Sequence, residues 1–152
     1  MVRGKRLMRI VSLSSIHIDG VVKVEEACFA HPWNREGIES NFNNPDAYFF
    51  VALDEQDEVI GYIGTYMVRD ECFVTNVAVL PSYRKQGIGS ALVERAVSNA
   101  QANGASFITL EVRLSNTEAI SVYKKYGFES DGVRPKFYRD PDEDALIMTK
   151  RF

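Results

Sequence analysis

Residues 76–104 read NVAVLPSYRKQGIGSALVERAVSNAQANG, and the interpretation of this stretch decides the fold. Val74, Asn76, Ala78 and Leu80 alternate with Thr75, Val77 and Val79, which predicts a strand with both faces largely buried. Pro81 ends it, because proline cannot donate to a strand ladder. The polar turn Arg84-Lys85-Gln86-Gly87-Ile88-Gly89 then runs directly into a helix. Ile88, Leu92, Ala96 and Ala100 repeat at helical spacing, flanked by Ala91, Val93 and Val97, so one helix face is apolar. Asn103-Gly104 supplies the stop. A strand, a glycine turn and a helix N-terminus together make an anion site. The unpaired first-turn N–H groups point outward, the helix dipole is positive there, and glycine lets a phosphate approach the backbone.

Three phosphate-binding patterns compete for the turn. A P-loop requires Lys-Ser/Thr after its second glycine, and neither follows Gly87 or Gly89. A dinucleotide fingerprint requires a third glycine where Leu92 stands. The third pattern, Arg/Gln-x-x-Gly-x-Gly/Ala, is matched by Arg84, Gly87 and Gly89. It resembles the pyrophosphate-binding turn of the GNAT superfamily of N-acetyltransferases, which hold acetyl-CoA. On these six residues alone, an ordinary connection whose glycines serve geometry stays open.

The chain of 152 residues suits one domain spanning 1–152, with residues 1–7 read as an extension ahead of a start at Met8. Its 45% hydrophobic and 26% charged residues are those of an ordinary globular protein. A net charge of −3 argues against nucleic acid or an anionic membrane as a direct partner. No apolar run approaches the roughly 20 residues of a membrane span. The basic N-terminus lacks the apolar segment of a secretory signal, so a cytoplasmic protein is expected. Cys28 and Cys72 then read as buried free thiols. His17 and His31 stand apart from any Cys/His pair at ligand spacing, and no metal is expected. His17 reads as a surface or capping residue.

Taken in order, a strand is expected over 9–13 and an amphipathic helix over 16–29, carrying Ile18, Val21, Val22, Cys28 and Phe29. Asn34 caps a second short helix with Ile38 and Phe42, which ends at Asn43-Asn44-Pro45. Strands over 48–53 and 59–68, the latter with bends at Gly61 and Gly64, lead into the central strand as an antiparallel meander. After the central helix a strand over 106–112 should pair parallel with its predecessor, because the connection is a helical crossover. Ser115-Asn116-Thr117-Glu118 has capping-box spacing and opens a helix with Ala119, Ile120, Tyr123 and Tyr126 on one face, closed by Gly127. Two final strands, 128–133 and 145–152, flank a polar loop over 139–144.

This order resembles the acetyltransferase fold over nearly the whole chain from Met8: an α/β (α+β) domain with a mixed, mostly antiparallel sheet flanked by helices. Within it, Phe29-Ala30-His31-Pro32-Trp33, Leu110-Glu111-Val112-Arg113, Ser115-Asn116, Ala119-Ile120, Tyr123, Tyr126-Gly127-Phe128, Tyr138 and Glu143-Asp144-Ala145-Leu146-Ile147-Met148 resemble the bacterial ribosomal-protein-alanine N-acetyltransferases, the RimI family. The resemblance implies acetyl transfer from acetyl-CoA to a protein N-terminus, with the N-terminal alanine of ribosomal protein S18 as acceptor. It implies Glu111 as general base and Tyr123 as general acid. It places acetyl-CoA against Val77, Ala78 and Val79, against Lys85, Gln86, Gly87, Ile88, Gly89 and Ser90, and against Asn116. Arg84 and Lys85, beside a helix N-terminus, are either solvated turn charges or cofactor-binding residues that reach phosphates. Trp33 and Tyr138 are substrate-side candidates, and the protein is expected to be a monomer or weak homodimer.

The chemistry asks for these residue types independently. An amine attacks a thioester only when neutral, and an N-terminal amine costs about 1.4 kcal/mol to deprotonate at pH 7, against about 4.6 for lysine. A carboxylate base serves either acceptor. Each candidate also has an ordinary structural explanation. Glu111 could pair with Arg113 at a strand end, Tyr123 could be core, Asn116 could be only a cap, and Trp33 could be core. Glu25, Glu26, Asp140, Asp142, Glu143 and Asp144 could form an acidic mouth for a basic peptide, or a solvated face. A small-molecule amine acetyltransferase and a non-catalytic CoA-binding module are the alternative functions; retention of both Glu111 and Tyr123 speaks against the second.

Overall fold

The structure, a computed structural model, describes residues 8–152. The expectation for residues 1–7 lies outside the described residues. Among the described residues, seven strands form one sheet in the order β1-β2-β3-β4-β5-β7-β6. Four helices cover its faces. Strands β1 (Arg9–Ser12), β2 (Ala47–Leu53), β3 (Val59–Val68) and β4 (Glu71–Val79) make the antiparallel meander, as their short turns require. The crossover helix α3 (Ile88–Ala102) brings β5 (Phe107–Arg113) in parallel to β4. The hairpin of β6 (Glu129–Tyr138) and β7 (Glu143–Arg151) completes the sheet, with β7 beside β5.

Helix α3 and helix α4 (Thr117–Lys125) lie on one face. The stripe read from the sequence is the buried one: Ile88, Leu92, Ala96 and Ala100 are all buried against β3 and β5. Helices α1 (Ile18–Cys28) and α2 (Arg35–Phe42) cover the other face near β2, β3 and β4 through Ile18, Val21, Val24 and Ile38. Asn34 caps α2 by accepting from the Gly37 N–H at 2.8 Å. The first helix is shorter than expected. A 3-10 turn, Ser15–His17, precedes it, Ile16 is exposed, and the buried His17 ring accepts from the Ser14 N–H at 3.0 Å. His17 therefore caps the chain, but from within.

Four other expectations are corrected. The central strand is not buried on both faces: Val74, Thr75, Asn76 and Val77 are half-exposed, because β4 parts from β5. The last hairpin is longer, with β6 continuing past Pro135 to Tyr138 and β7 starting at Glu143. Proline is tolerated there because β6 is an edge strand whose outward N–H is not needed. The capping-box reading also fails. Asn116 is the cap of α4, accepting from the Ala119 N–H at 3.2 Å, whereas Ser115 bonds Glu143 through both its N–H (2.6 Å) and its hydroxyl (3.0 Å). Finally, Cys72 is buried but Cys28 is half-exposed; both are free thiols.

Candidate active site

The decisive geometry is the divergence of β4 and β5. They pair at Glu71↔Phe107, Cys72↔Ile108 and Phe73↔Thr109, and beyond that point the ladder stops. The edge of β4 from Val74 to Val79 thus faces a cleft, with the hydrogen-bonding groups on that side left unpaired by β5. Such an edge can take up an extended, amide-bearing ligand arm as an added strand.

A bulge shapes the same strand. Gly64 pairs with Asn76 and Thr65 with Val74, so Thr75 is the extra residue on β4. Val74 and Val77 pack toward the α3 face. Thr75 meets the space beside Gly64 and Phe49, and Asn76 reaches Glu25 on α1, so two consecutive side chains are turned toward the α1 side. Gly64 is needed for this crossing: a Cβ there would lie 2.5 Å from Phe49 Cζ and 2.8 Å from Thr75 Oγ1. Among the described residues, Thr75 Oγ1 is the buried side-chain oxygen or nitrogen without a hydrogen-bond partner.

At the outer end of the cleft, α3 begins at Gly87, whose φ of 80° is left-handed and suits glycine. No side chain caps this terminus and no acidic residue sits in its first turn, so its amides remain directed at the cleft mouth. Lys85, also left-handed with φ 62°, lies 3.8 Å from Glu118 at the start of α4, across that mouth. Gln86 donates to the Ser82 carbonyl at 3.3 Å. Arg84 behaves differently from the sequence expectation. Its Nε donates to the Val79 carbonyl at 3.1 Å and its Nη2 contacts Cys28 Sγ at 3.6 Å, so the guanidinium braces the end of β4.

On the α1 side a cavity of about 780 Å³ opens at the divergence. Its walls include Glu111 and Arg113 of β5, Tyr123 of α4, Asn116, Trp33, Tyr138, and Thr75 through Val77 of β4. The structure therefore brings Glu111, Tyr123, Asn116, Trp33 and Tyr138 together, although they are spread over more than a hundred positions. Glu111 is only a quarter exposed, and its ion-pair partner is Arg134 of β6 at 3.5 Å. Arg113 is committed elsewhere, to Glu143 at 3.3 Å and to the carbonyls of Arg139 and Pro141. Tyr123 is 6% exposed, and burial pushes its phenol well above the ordinary tyrosine range. Tyr138 is raised to about 12 by burial first and by the Glu111 charge second; the Arg113 guanidinium stacks 4.5 Å over its ring. Trp33 is half-buried against Phe49.

The acidic mouth does not form as a set of free carboxylates. Glu143 is held below the usual carboxylate range by Ser115 and Arg113. Asp140 pairs with His31, joining the 29–33 segment to the β6–β7 turn over the cavity. Asp144 accepts from the Lys136 N–H at 2.8 Å. Glu25 is fully buried and accepts from the Trp33 N–H (2.7 Å), the Tyr62 hydroxyl (2.5 Å) and the Asn76 amide (3.3 Å). The sequence offered Glu25 only as a carboxylate of an acidic mouth, and it missed Thr75 and Asn76 as site residues. A signal for Glu25 was present: it shares the apolar stripe of α1 with Val21 and Cys28, where a carboxylate has no place without donors. Nothing in the sequence marked the bulge beyond Gly64.

Among the described residues there is no group of three His, Cys, Asp or Glu side chains able to hold a metal. No helix of the described residues is long and apolar enough to cross a membrane.

Residues 18–128 match the family model of the acetyltransferase (GNAT) family. The [ribosomal protein bS18]-alanine N-acetyltransferase of Escherichia coli (strain K12) is 33% identical over 141 residues, 91% of this chain and 94% of its own. A Bacillus subtilis (strain 168) protein named for the same reaction is 37% identical over 132 residues, 86% of this chain and 87% of its own. The crystal structure of the Escherichia coli ribosomal-protein-S18-alanine N-acetyltransferase superposes with a TM-score of 0.86 at 31% identity, covering 95% of this chain and 94% of that one.

Proposed function

The chain belongs to the acetyltransferase (GNAT) family, within it to the ribosomal-protein-alanine N-acetyltransferases, and from that premise we propose that it acetylates the N-terminal α-amine of a ribosomal protein, the alanine of bS18. The protein is an N-acetyltransferase, and its family takes the acetyl group from acetyl-CoA. What carries the reading of the site is that Glu111 and Tyr123, from different elements, line one cavity where β4 and β5 part.

In this reading acetyl-CoA lies in the cleft with its pyrophosphate on the uncapped α3 terminus, against Lys85, Gln86, Gly87, Ile88, Gly89 and Ser90. Its amide arm runs along the free edge at Val77, Ala78 and Val79. Asn116, at the lip of α4, borders the same cavity. The acceptor enters from the other side, past Trp33 and Tyr138. Glu111 takes the proton from the attacking amine, directly or through water. The amine nitrogen bonds to the thioester carbon, the C–S bond breaks, and Tyr123 gives its proton to the departing thiolate. Burial keeps the phenol protonated, so a proton is at hand when the thiolate forms, although the same burial makes the phenol a weaker acid. Arg84 supports the cofactor strand through Val79 in place of a direct phosphate contact.

The test is acetyl-CoA turnover against short peptides that differ in their first residues, with polyamines and free lysine included. Alanine-initiated peptides are expected to exceed the amines by at least tenfold in kcat/KM. Equal or better turnover of a small amine would sink the protein-acceptor reading.

A further inference from the structure

Asn76 and Glu25 have no part in the chemistry above, yet both border the cavity where it takes place. Among the described residues Glu25 has three hydrogen-bond donors and no salt-bridge partner: the Trp33 N–H on Oε1, and the Tyr62 hydroxyl with the Asn76 amide on Oε2. A carboxylate accepts and does not donate, so the group that Asn76 turns toward it must be the NH₂. The opposite orientation would set the amide oxygen against the carboxylate, while the Tyr62 hydroxyl hydrogen is already committed to Glu25. The amide is therefore locked, and its oxygen points away from Glu25. Asn76 is half-exposed on a cavity wall, so that oxygen opens on the space an acceptor would fill. The adjoining Thr75, turned the same way by the bulge, holds the unpartnered buried hydroxyl oxygen described above. This part of the wall thus offers hydrogen-bonding capacity the protein itself does not use.

We infer that Asn76 is a substrate-binding residue, presenting its side-chain carbonyl oxygen to an N–H of the acceptor's α-amine, and that Glu25 is the positioning residue that fixes it so. The inference rests on the α-amine reading of the acceptor. An attacking primary amine has two N–H bonds and one lone pair. With one N–H directed at Glu111 on β5 and the other accepted by Asn76 on β4, the lone pair is left to face the thioester between the strands. Asn76 thereby orients the nucleophile without taking its proton, and it favours acceptors that carry an unblocked amine.

The experiment measures binding of an alanine-initiated hexapeptide to the enzyme–CoA complex, and of its des-amino analogue in which hydrogen replaces the amine. In the wild type the amine-bearing peptide should bind at least tenfold more tightly. Asn76→Ala should erase most of that ratio while leaving acetyl-CoA affinity unchanged; Asn76→Ser replaces it if the alanine variant does not fold. Glu25→Gln should lower the ratio as well, because its amide donates to the Asn76 oxygen and turns the NH₂ toward the ligand. A merely structural role would weaken both peptides alike, and that result overturns the inference. So does a ratio preserved in Asn76→Ala. If the wild type acetylates no peptide, the α-amine reading falls and takes this inference with it; if it acetylates them while the ratio persists in the variants, only this inference falls.

Discussion

At the scale of single residues, the proposed mechanism asks Tyr123 to be both core and catalyst. Its ring packs 5.7 Å from Phe128 in the cluster beneath α3 and α4, and its edge borders the reaction cavity. Tyr123→Phe keeps the ring and deletes the hydroxyl. Stability should shift by no more than about 1 kcal/mol, the worth of one hydrogen bond, while kcat falls by on the order of a hundredfold. Melting temperature, CoA affinity and kcat measured on one preparation decide it, and undiminished kcat removes Tyr123 from the mechanism. Glu111→Gln is nearly isosteric, so cofactor binding should stay within a factor of about two while kcat at neutral pH drops by about a hundredfold or more. A wild-type pH profile in that variant would leave Glu111 a structural carboxylate held by Arg134. The sequence named both residues through the motifs around them. It gave Glu111 the wrong ion-pair alternative: Arg113 belongs to Glu143, and the guanidinium beside Glu111 comes from β6, a partner that sequence distance hides.

At the scale of elements, the α3 terminus and the β4 bulge each depend on a glycine for a different reason. Gly87 is left-handed, and a Cβ there would meet nothing of the protein within 4 Å, so its side of the turn is open to a ligand. Gly87→Val should cost about 1 kcal/mol or more of backbone strain and should lower CoA affinity at least tenfold by occupying the approach path. Unchanged affinity by calorimetry in a folded variant would place the pyrophosphate elsewhere. Gly64 fails a substitution by crowding, since its φ is not in the left-handed region and its neighbours are Phe49 and Thr75. Gly64→Ala should destabilise by about 1–3 kcal/mol, the range for overpacking, and raise the acceptor KM more than the acetyl-CoA KM. Denaturant unfolding and the two KM values check it. The glycine turn was legible because strand, proline, glycines and helix period are contiguous. The bulge was not, because it exists only in the pairing of β3 with β4.

At the scale of the whole molecule, Glu143 ties the loop before α4 to β7 through Ser115 and Arg113, at the edge of the reaction cavity. Its folded-state acidity is shifted below the ordinary carboxylate value, first by the Ser115 hydroxyl. The linkage therefore stabilises the fold above the unfolded carboxylate's titration and is lost as pH falls through the lowered folded value. Glu143→Gln should melt below the wild type at pH 7, and the gap should narrow as pH falls below the ordinary carboxylate range; a gap constant with pH would show that the charge contributes nothing. By itself the sequence determined the order of elements, the single parallel crossover at β4–β5, the α3 stripe and the family, since each is written in residues close together in the chain. The tertiary structure alone decided which side chains face one another. The parting of β4 from β5, the burial of Glu25 beneath Asn76, the pairing of Arg134 with Glu111 and the bridge from His31 to Asp140 all join residues far apart in sequence. Their geometry follows from how the two halves of the sheet twist and pack, which periodicity within one segment does not encode.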